Sequence, residues 1–111
     1  MMPRIPSDIK QLIAKYKPEK VILFGSRAWG TSEEYSDYDL LVIKDTPTRR
    51  INRREEAMDG IKQTVPLDLI IVTPEEIDHL LKHNSKFLRE ILTKGMTIYE
   101  RREPVADVRA G

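Results

Sequence analysis

Apolar residues fall along this chain in two patterns. Three short unbroken runs, Val21–Phe24, Leu40–Ile43 and Leu69–Val72, each stop at a glycine, a hydroxyl residue or a charge. Runs of this length read as strands. The first is continuous in apolar character and predicts a strand over 20–24 buried on both faces. Elsewhere the apolar positions recur at helical spacing. Ile9, Leu12, Ile13 and Tyr16 predict a first helix, with Ser7 as its cap and Lys17-Pro18 as its end. A charged helix is expected from about Thr48 to Gln63, lying on the surface through Ile51, Ala57 or Met58, and Ile61. Thr73-Pro74-Glu75-Glu76 reads as a helix start, with Thr73 capping, Pro74 in the first position and Glu76 completing a capping box. Ile77, Leu80 and Leu81 form the apolar face of that helix, and Asn84-Ser85 interrupts it. A second piece, Lys86 to Lys94, carries the stripe Phe87, Leu88, Ile91 and Leu92, read as core with part of it open to a partner. Gly95 is its C-cap, and Thr97–Glu100 reads as a short last strand. Residues 1–103 are expected to form one domain, and residues 104–111 a mobile tail.

The order of these elements predicts how they pair. Strand, helix, strand between the second and third runs favours a parallel pair with a right-handed crossover. Asp68, at the start of the third run, then lies at the edge that carries Asp37 and Asp39. The first strand must deliver Ser26 to the same edge by its C-terminal end, so it runs antiparallel to the second. The fold class is α/β (α+β), with a mixed sheet of about four strands flanked by helices.

The polar residues that matter gather between the first two strands. Gly25-Ser26 ends the first run, Gly30 closes a short helical segment, and a polar loop at 31–36 leads to Asp37-Tyr38-Asp39. Side chains alternate across a strand, so Asp37 and Asp39 point to one face. Two neighbouring carboxylates repel unless a proton or a cation sits between them. Hard oxygen ligands at that spacing suit Mg²⁺, which takes one or two carboxylates and completes its shell with water and substrate phosphates. Gly25 allows a close turn, and the N–H groups after Ser26 make an anion cradle. A phosphate cradle beside a carboxylate pair is the pattern of a nucleotide site. Taken singly, Asp37 and Asp39 also read as a solvated turn, Ser26 as a helix cap, and Asp68 as a strand-end residue.

Gly25-Ser26 followed by Asp37-x-Asp39 resembles the signature of the DNA polymerase β-like nucleotidyltransferase superfamily. More narrowly, Gly-Ser-Arg-Ala-Trp-Gly at 25–30 with Ser-Asp-Tyr-Asp-Leu at 36–40 resembles the minimal nucleotidyltransferase (MNT) domains. Those domains are partners of HEPN proteins in prokaryotic toxin–antitoxin pairs, and the likeness runs over nearly the whole chain. Where this chain has Trp29, many members carry arginine. The resemblance implies the polymerase β-like nucleotidyltransferase fold, with Asp68 as its third carboxylate. It implies ATP as substrate, its β- and γ-phosphates on Gly25 and Ser26, with Arg27 near enough in sequence to neutralise phosphate charge. Two Mg²⁺ ions would be held by Asp37 and Asp39, and Asp68 would bind the ion nearer the acceptor. The reaction would be protein adenylylation (AMPylation): AMP passes to a hydroxyl of a HEPN toxin and silences it. Two other functions stay open: an antitoxin that acts by contact alone, and nucleotidyl transfer to a nucleic acid end or a small molecule.

Composition narrows these choices. A chain of 111 residues makes one domain with a real core and no separate acceptor domain. The acceptor is then small, or is presented by a partner protein. Nineteen basic residues against 18 acidic ones give no global field toward nucleic acid, and direct nucleic-acid binding is not expected. The absence of cysteine removes disulfides and zinc-thiolate sites. No signal-peptide pattern opens the chain and no apolar run approaches a membrane span, so a cytoplasmic protein is expected. Gly-x-Gly-x-x-Gly and the phosphate-loop Gly-Lys-Thr/Ser are both absent.

Three features stand outside this picture. His79 and His83 lie four apart on a helix and read as a solvated face or a two-histidine metal site. The run Arg49-Arg50-Ile51-Asn52-Arg53-Arg54, followed by Glu55-Glu56, reads as a solvated face or a contact for protein or RNA. Trp29 reads as a packing residue or a base-stacking platform.

Overall fold

A computed structural model describes residues 5–29 and 37–101. Gly30, the polar loop at 31–36, the side chain of Trp29 and the tail at 104–111 lie outside the described residues. The elements follow as α1 (Ser7–Tyr16), β1 (Lys20–Phe24), α2 (Ser26–Trp29), β2 (Tyr38–Ile43), α3 (Arg50–Ala57), β3 (Leu67–Val72), α4 (Pro74–Lys82), α5 (Lys86–Lys94) and β4 (Met96–Glu100). The strands form one sheet in the order β3-β2-β1-β4. β1 is antiparallel to β2 and β4, and β2 is parallel to β3, as the connections require.

Alternation along the strands sorts their side chains into two cores. Val21, Leu23, Leu40, Val42, Leu67 and Ile71 pack with Ile9, Leu12 and Tyr16 of α1 and Ala57 of α3. Ile22, Phe24, Leu41 and Val72 pack on the other face with Leu88 and Ile91 of α5, and Ile77, Leu80 and Leu81 of α4 join them. The sheet is therefore covered on both sides. That is why its central strands read as unbroken apolar runs rather than alternating ones.

Several local expectations change. Ser7 is not the cap of α1: Pro6 takes that place without a side-chain bond, and the Ser7 hydroxyl accepts from Gln11 Nε2 at 3.1 Å inside the first turn. The charged helix ends at Ala57, well short of Gln63. Ile61 is still buried, but from the segment after the helix, and Ile51 is 78% exposed. The residue that docks α3 beside Ala57 is Arg53, which is 6% exposed. Its guanidinium donates to the Ile71 carbonyl at 3.1 Å and to both Glu76 carboxylate oxygens at 2.7 and 3.1 Å. An apolar periodicity has no place for a buried arginine, so the sequence pattern points past it.

The second half follows its signals closely. The Thr73–Glu76 capping box forms in both directions. Asn84 takes φ 56°, breaking the helix, and Ser85 caps α5 by accepting from Leu88 N. Gly95 ends α5 in extended rather than left-handed geometry. Glycine is needed there because a Cβ would meet the Ile91 carbonyl and the Ile22 side chain. Of the apolar stripe on α5, Leu88 and Ile91 are buried while Phe87 and Leu92 are exposed. Among the described residues no helix is long and apolar enough to cross a membrane.

Candidate active site

β1 leaves the sheet at Phe24, and Gly25 turns the chain with φ +78°. Only glycine adopts that conformation without strain. Ala28 N donates to the Gly25 carbonyl at 3.0 Å and closes the turn that carries Ser26. A Cβ built on Gly25 would overlap Asp39 Oδ2 and stand 3.2 Å from its Cγ. The Asp39 carboxylate thus lies directly against bare backbone.

Register holds Asp39 in that place. It pairs with Phe24 on β1 and with Asp68 on β3. Alternation puts Asp39 on the face of Leu41, Asp68 on that of Ile70 and Val72, and Phe24 on that of Ile22. All of these apolar residues belong to the core beneath α4 and α5. Asp37, two residues before Asp39, falls on the same side. The turn and all three carboxylates therefore share one rim of the sheet, because β2 and β3 start where β1 ends.

Asp39 is half-buried, while Asp37 and Asp68 are exposed. Burial, then the charge of Asp68, then that of Asp37, push the Asp39 carboxyl above its ordinary value. All three effects disfavour a second negative charge, and a cation among the carboxylates would relieve them. Among the described residues, no three His, Cys, Asp or Glu side chains converge on one point. The three carboxylates of the rim are nevertheless hard oxygen donors of the kind Mg²⁺ takes, with water and phosphate oxygens completing its shell. The donor set therefore fits the ion.

Arg27 has a different setting. Its guanidinium lies 4.1 Å from the centre of the Tyr38 ring, a cation–π stack. Tyr38 packs on the α1 side of the sheet, opposite to the carboxylates. The structure gathers Gly25, Ser26, Asp37, Asp39 and Asp68, and it sets Arg27 on the tyrosine behind them. His79 of α4 and His83, the residue that caps its C-terminal end, are both exposed, with ring centres 4.2 Å apart.

One supporting residue was invisible in the sequence. Asp8 is 1% exposed. Its carboxylate accepts from Thr64 N, from Thr64 Oγ1 at 2.7 Å and from Val65 N at 3.1 Å. Burial alone would raise its pKa, but these donors outweigh it and hold the carboxyl below its ordinary value. Asp8 thereby pins the segment that leads into β3 and Asp68. An acidic residue in the first turn of a helix is commonplace, so no sequence signal singled it out.

A family model for polymerase beta, nucleotidyltransferase, matches residues 7–104. The chain belongs to the polymerase β nucleotidyltransferase family. One relative of this nucleotidyltransferase-family chain is the Methanocaldococcus jannaschii protein MJ1305, whose name proposes protein adenylyltransferase activity. The two are 40% identical over 87 residues, which is 73% of this chain and 58% of that protein. The chain thus spans little more than half of that relative's length. Solved structures share the fold. One is a chain of a toxin–antitoxin structure with AMP-PNP, at 24% identity and TM-score 0.54, covering 86% of this chain and 73% of that one. A mutant form of the toxin–antitoxin MntA–HpeT gives 23% and 0.52, covering 89% and 76%. A Sulfolobus solfataricus protein proposed to be a nucleotidyltransferase gives 20% and 0.51, covering 91% and 94%.

Proposed function

We propose that this nucleotidyltransferase-family chain uses ATP and Mg²⁺ to transfer AMP to a hydroxyl of a partner protein, and that the partner is a HEPN-domain toxin neutralised by the transfer. The observation that carries the chemistry is the position of Asp39, pressed against the Gly25 turn on one side and paired with Asp68 on the other. Support for a protein acceptor comes from the proposed activity of MJ1305. Support for a toxin partner and for ATP comes from the toxin–antitoxin structures that share the fold, one of them with AMP-PNP.

Asp37 and Asp39 would hold two Mg²⁺ ions, and Asp68 the one nearer the acceptor. Bound there, the ions would stabilise charge on the attacking and leaving oxygens of an in-line displacement. The bare backbone of Gly25 admits Asp39, and the β- and γ-phosphates would lie on the turn that follows, where the Ser26 hydroxyl would donate to a phosphate oxygen. Arg27, anchored on Tyr38, adds positive charge behind the turn. Asp68 is exposed on the outer strand and takes the proton of the incoming hydroxyl. The acceptor oxygen bonds to the α-phosphorus, the bond to the bridging oxygen of the β-phosphate breaks, and pyrophosphate leaves.

The test is intact-mass spectrometry of a HEPN protein encoded beside this chain, after incubation with the chain, ATP and Mg²⁺. One or more added AMP masses are expected, and none with the Asp37→Ala/Asp39→Ala variant. A stable complex without added mass, formed equally by both proteins, would make this chain an antitoxin that acts by contact.

A further inference from the structure

β3 is an outer strand of the sheet. Its inner side pairs with β2 from Leu67 to Val72, and among the described residues no strand pairs with its outer side. Successive residues of a strand turn their backbone groups to opposite sides. Tyr38 N donates to the Pro66 carbonyl and Lys44 N to that of Val72, so the even-numbered residues face β2. Leu67, Leu69 and Ile71 therefore turn their N–H and C=O groups outward. Arginines of α3 reach two of those carbonyls: Arg53 Nη1 donates to Ile71 O at 3.1 Å, and Arg54 Nη2 to Leu67 O at 3.4 Å. Among the described residues, no side chain caps Leu69, which lies between them.

A cleft of about 330 Å³ runs along this edge. Its floor is β3 from Leu69 to Val72 with Leu80 of α4, and its wall is Arg50, Arg53 and Arg54. Glu76 is the one carboxylate these arginines bond among the described residues, and Arg50 and Arg53 share it. The Arg54 guanidinium bonds neutral oxygens, of Gln63 at 2.9 Å and of Leu67. The wall thus keeps positive charge in excess.

The edge leads straight to the carboxylates, because Asp68 adjoins Leu69 on the same strand. In-line displacement sets the attacking hydroxyl and the leaving pyrophosphate on opposite sides of the α-phosphorus. With the phosphates on the turn after β1, the hydroxyl enters from the side of Asp68, where the sheet ends. Opposite residues on neighbouring strands project from one face. A residue laid opposite Asp68 would therefore point to the face of the three carboxylates.

We propose that the outer edge of β3 is the acceptor-docking site: an extended segment of the partner protein adds there as a further strand. It bonds the N–H and C=O of Leu69, places a hydroxyl residue opposite Asp68, and sets a carboxylate on the Arg50–Arg54 wall. Backbone bonds supply affinity in such strand addition, and the flanking side chains supply specificity. This rests on the adenylylation reading given above and names the part of the partner that the chain recognises.

The experiment uses the whole chain and the HEPN protein encoded beside it. Adding that protein is expected to slow hydrogen exchange at the Leu69 and Ile71 amides. Leu69→Pro removes the outward N–H and leaves the β2 ladder intact, since an outer strand tolerates proline where its N–H faces away from the neighbour. It is expected to raise the KM for the partner about tenfold, with kcat and the affinity for ATP with Mg²⁺ little changed. Leu69→Ala keeps the N–H and is expected to keep the KM, which separates backbone pairing from packing. Arg50→Gln/Arg54→Gln changes only exposed side chains, so it carries the test if Leu69→Pro unfolds. It is expected to raise the KM and to flatten its dependence on salt. A wild type that transfers AMP while its Leu69 exchange ignores the partner, or while these variants keep the wild-type KM, overturns the docking edge and leaves the adenylylation reading standing. Leu69 protection that grows on concentrating the chain alone assigns the edge to a second copy of this chain and overturns the proposal too. A wild type that transfers no AMP to the partner brings down the adenylylation reading and the docking edge with it.

Discussion

The carboxylate of Asp39 lies against the backbone of Gly25, so close that a methyl group on Gly25 would take the place of Oδ2. The exit of β1 and the entry of β2 are thereby built as one unit. Gly25→Ala attacks it twice, through the positive φ and through the overlap. The left-handed conformation alone costs a non-glycine residue about 1–2 kcal/mol. We expect the denaturation midpoint to fall accordingly, and the proposed AMP transfer to drop by about two orders of magnitude as Asp39 is displaced. Urea unfolding and a transfer assay on the same preparation check both.

Burial and the charges of Asp68 and Asp37 all oppose the ionisation of Asp39. Asp39→Asn removes that opposition while keeping the shape. In buffer free of divalent ions the variant is expected to be more stable than wild type. Its transfer activity is expected to fall by about 10²–10³. Added Mg²⁺ should raise the melting temperature of wild type and leave that of the variant unmoved, since only a folded state that binds the ion gains from it.

The sheet and its rim were legible because they rest on short-range rules. Continuous apolar runs marked β1, β2 and β3, and connection lengths set their directions. Those directions brought Gly25, Ser26, Asp37, Asp39 and Asp68 to one edge. The parts that stayed hidden depend on tertiary partners. Arg53 looked like one more charge in a basic run, but it is buried against Glu76 and the Ile71 carbonyl. Asp8 carries no signal beyond that of an acid in a first turn, but it holds Thr64 and Val65, far away in sequence. Phe87 fell on an apolar stripe, and only the packing of α5 shows that its ring faces outward.

Asp8 is expected to govern stability before it governs catalysis. Asp8→Ala strands the N–H groups of Thr64 and Val65, bonds to a charged acceptor that are worth about 1.5–3 kcal/mol each, part of it recovered by water. We expect a loss of about 3 kcal/mol in urea unfolding, on the scale of a severe single substitution. Hydrogen exchange should increase first around residues 64–68, the segment that delivers Asp68.

Acid should unfold the chain partly through Glu76. Its bonds to Arg53, with the Thr73 N–H and Arg50 adding to them, hold its carboxyl down at about 2 against an ordinary 4.5. A carboxylate with a lowered pKa stabilises the fold above its unfolded value, and that contribution disappears as the pH falls through the folded value. The window here runs from about 5 down to about 2. Because Glu76 is partly open to solvent, the loss is expected to be about 2 kcal/mol rather than the full linkage value. Glu76→Gln keeps a capping-box side chain but carries no charge. Its stability should start lower at neutral pH and fall less between pH 5 and pH 2.

The most direct test of the site as a whole is calorimetric titration of ATP into the chain, with and without Mg²⁺, in wild type and Asp39→Asn. If Gly25, Ser26, Asp37, Asp39 and Asp68 form one metal–nucleotide site, wild type binds ATP only with Mg²⁺. Asp39→Asn, still folded, then loses at least about tenfold in affinity, the scale of one lost charge interaction. Binding that is indifferent to Mg²⁺, or equal in the two proteins, would contradict that account.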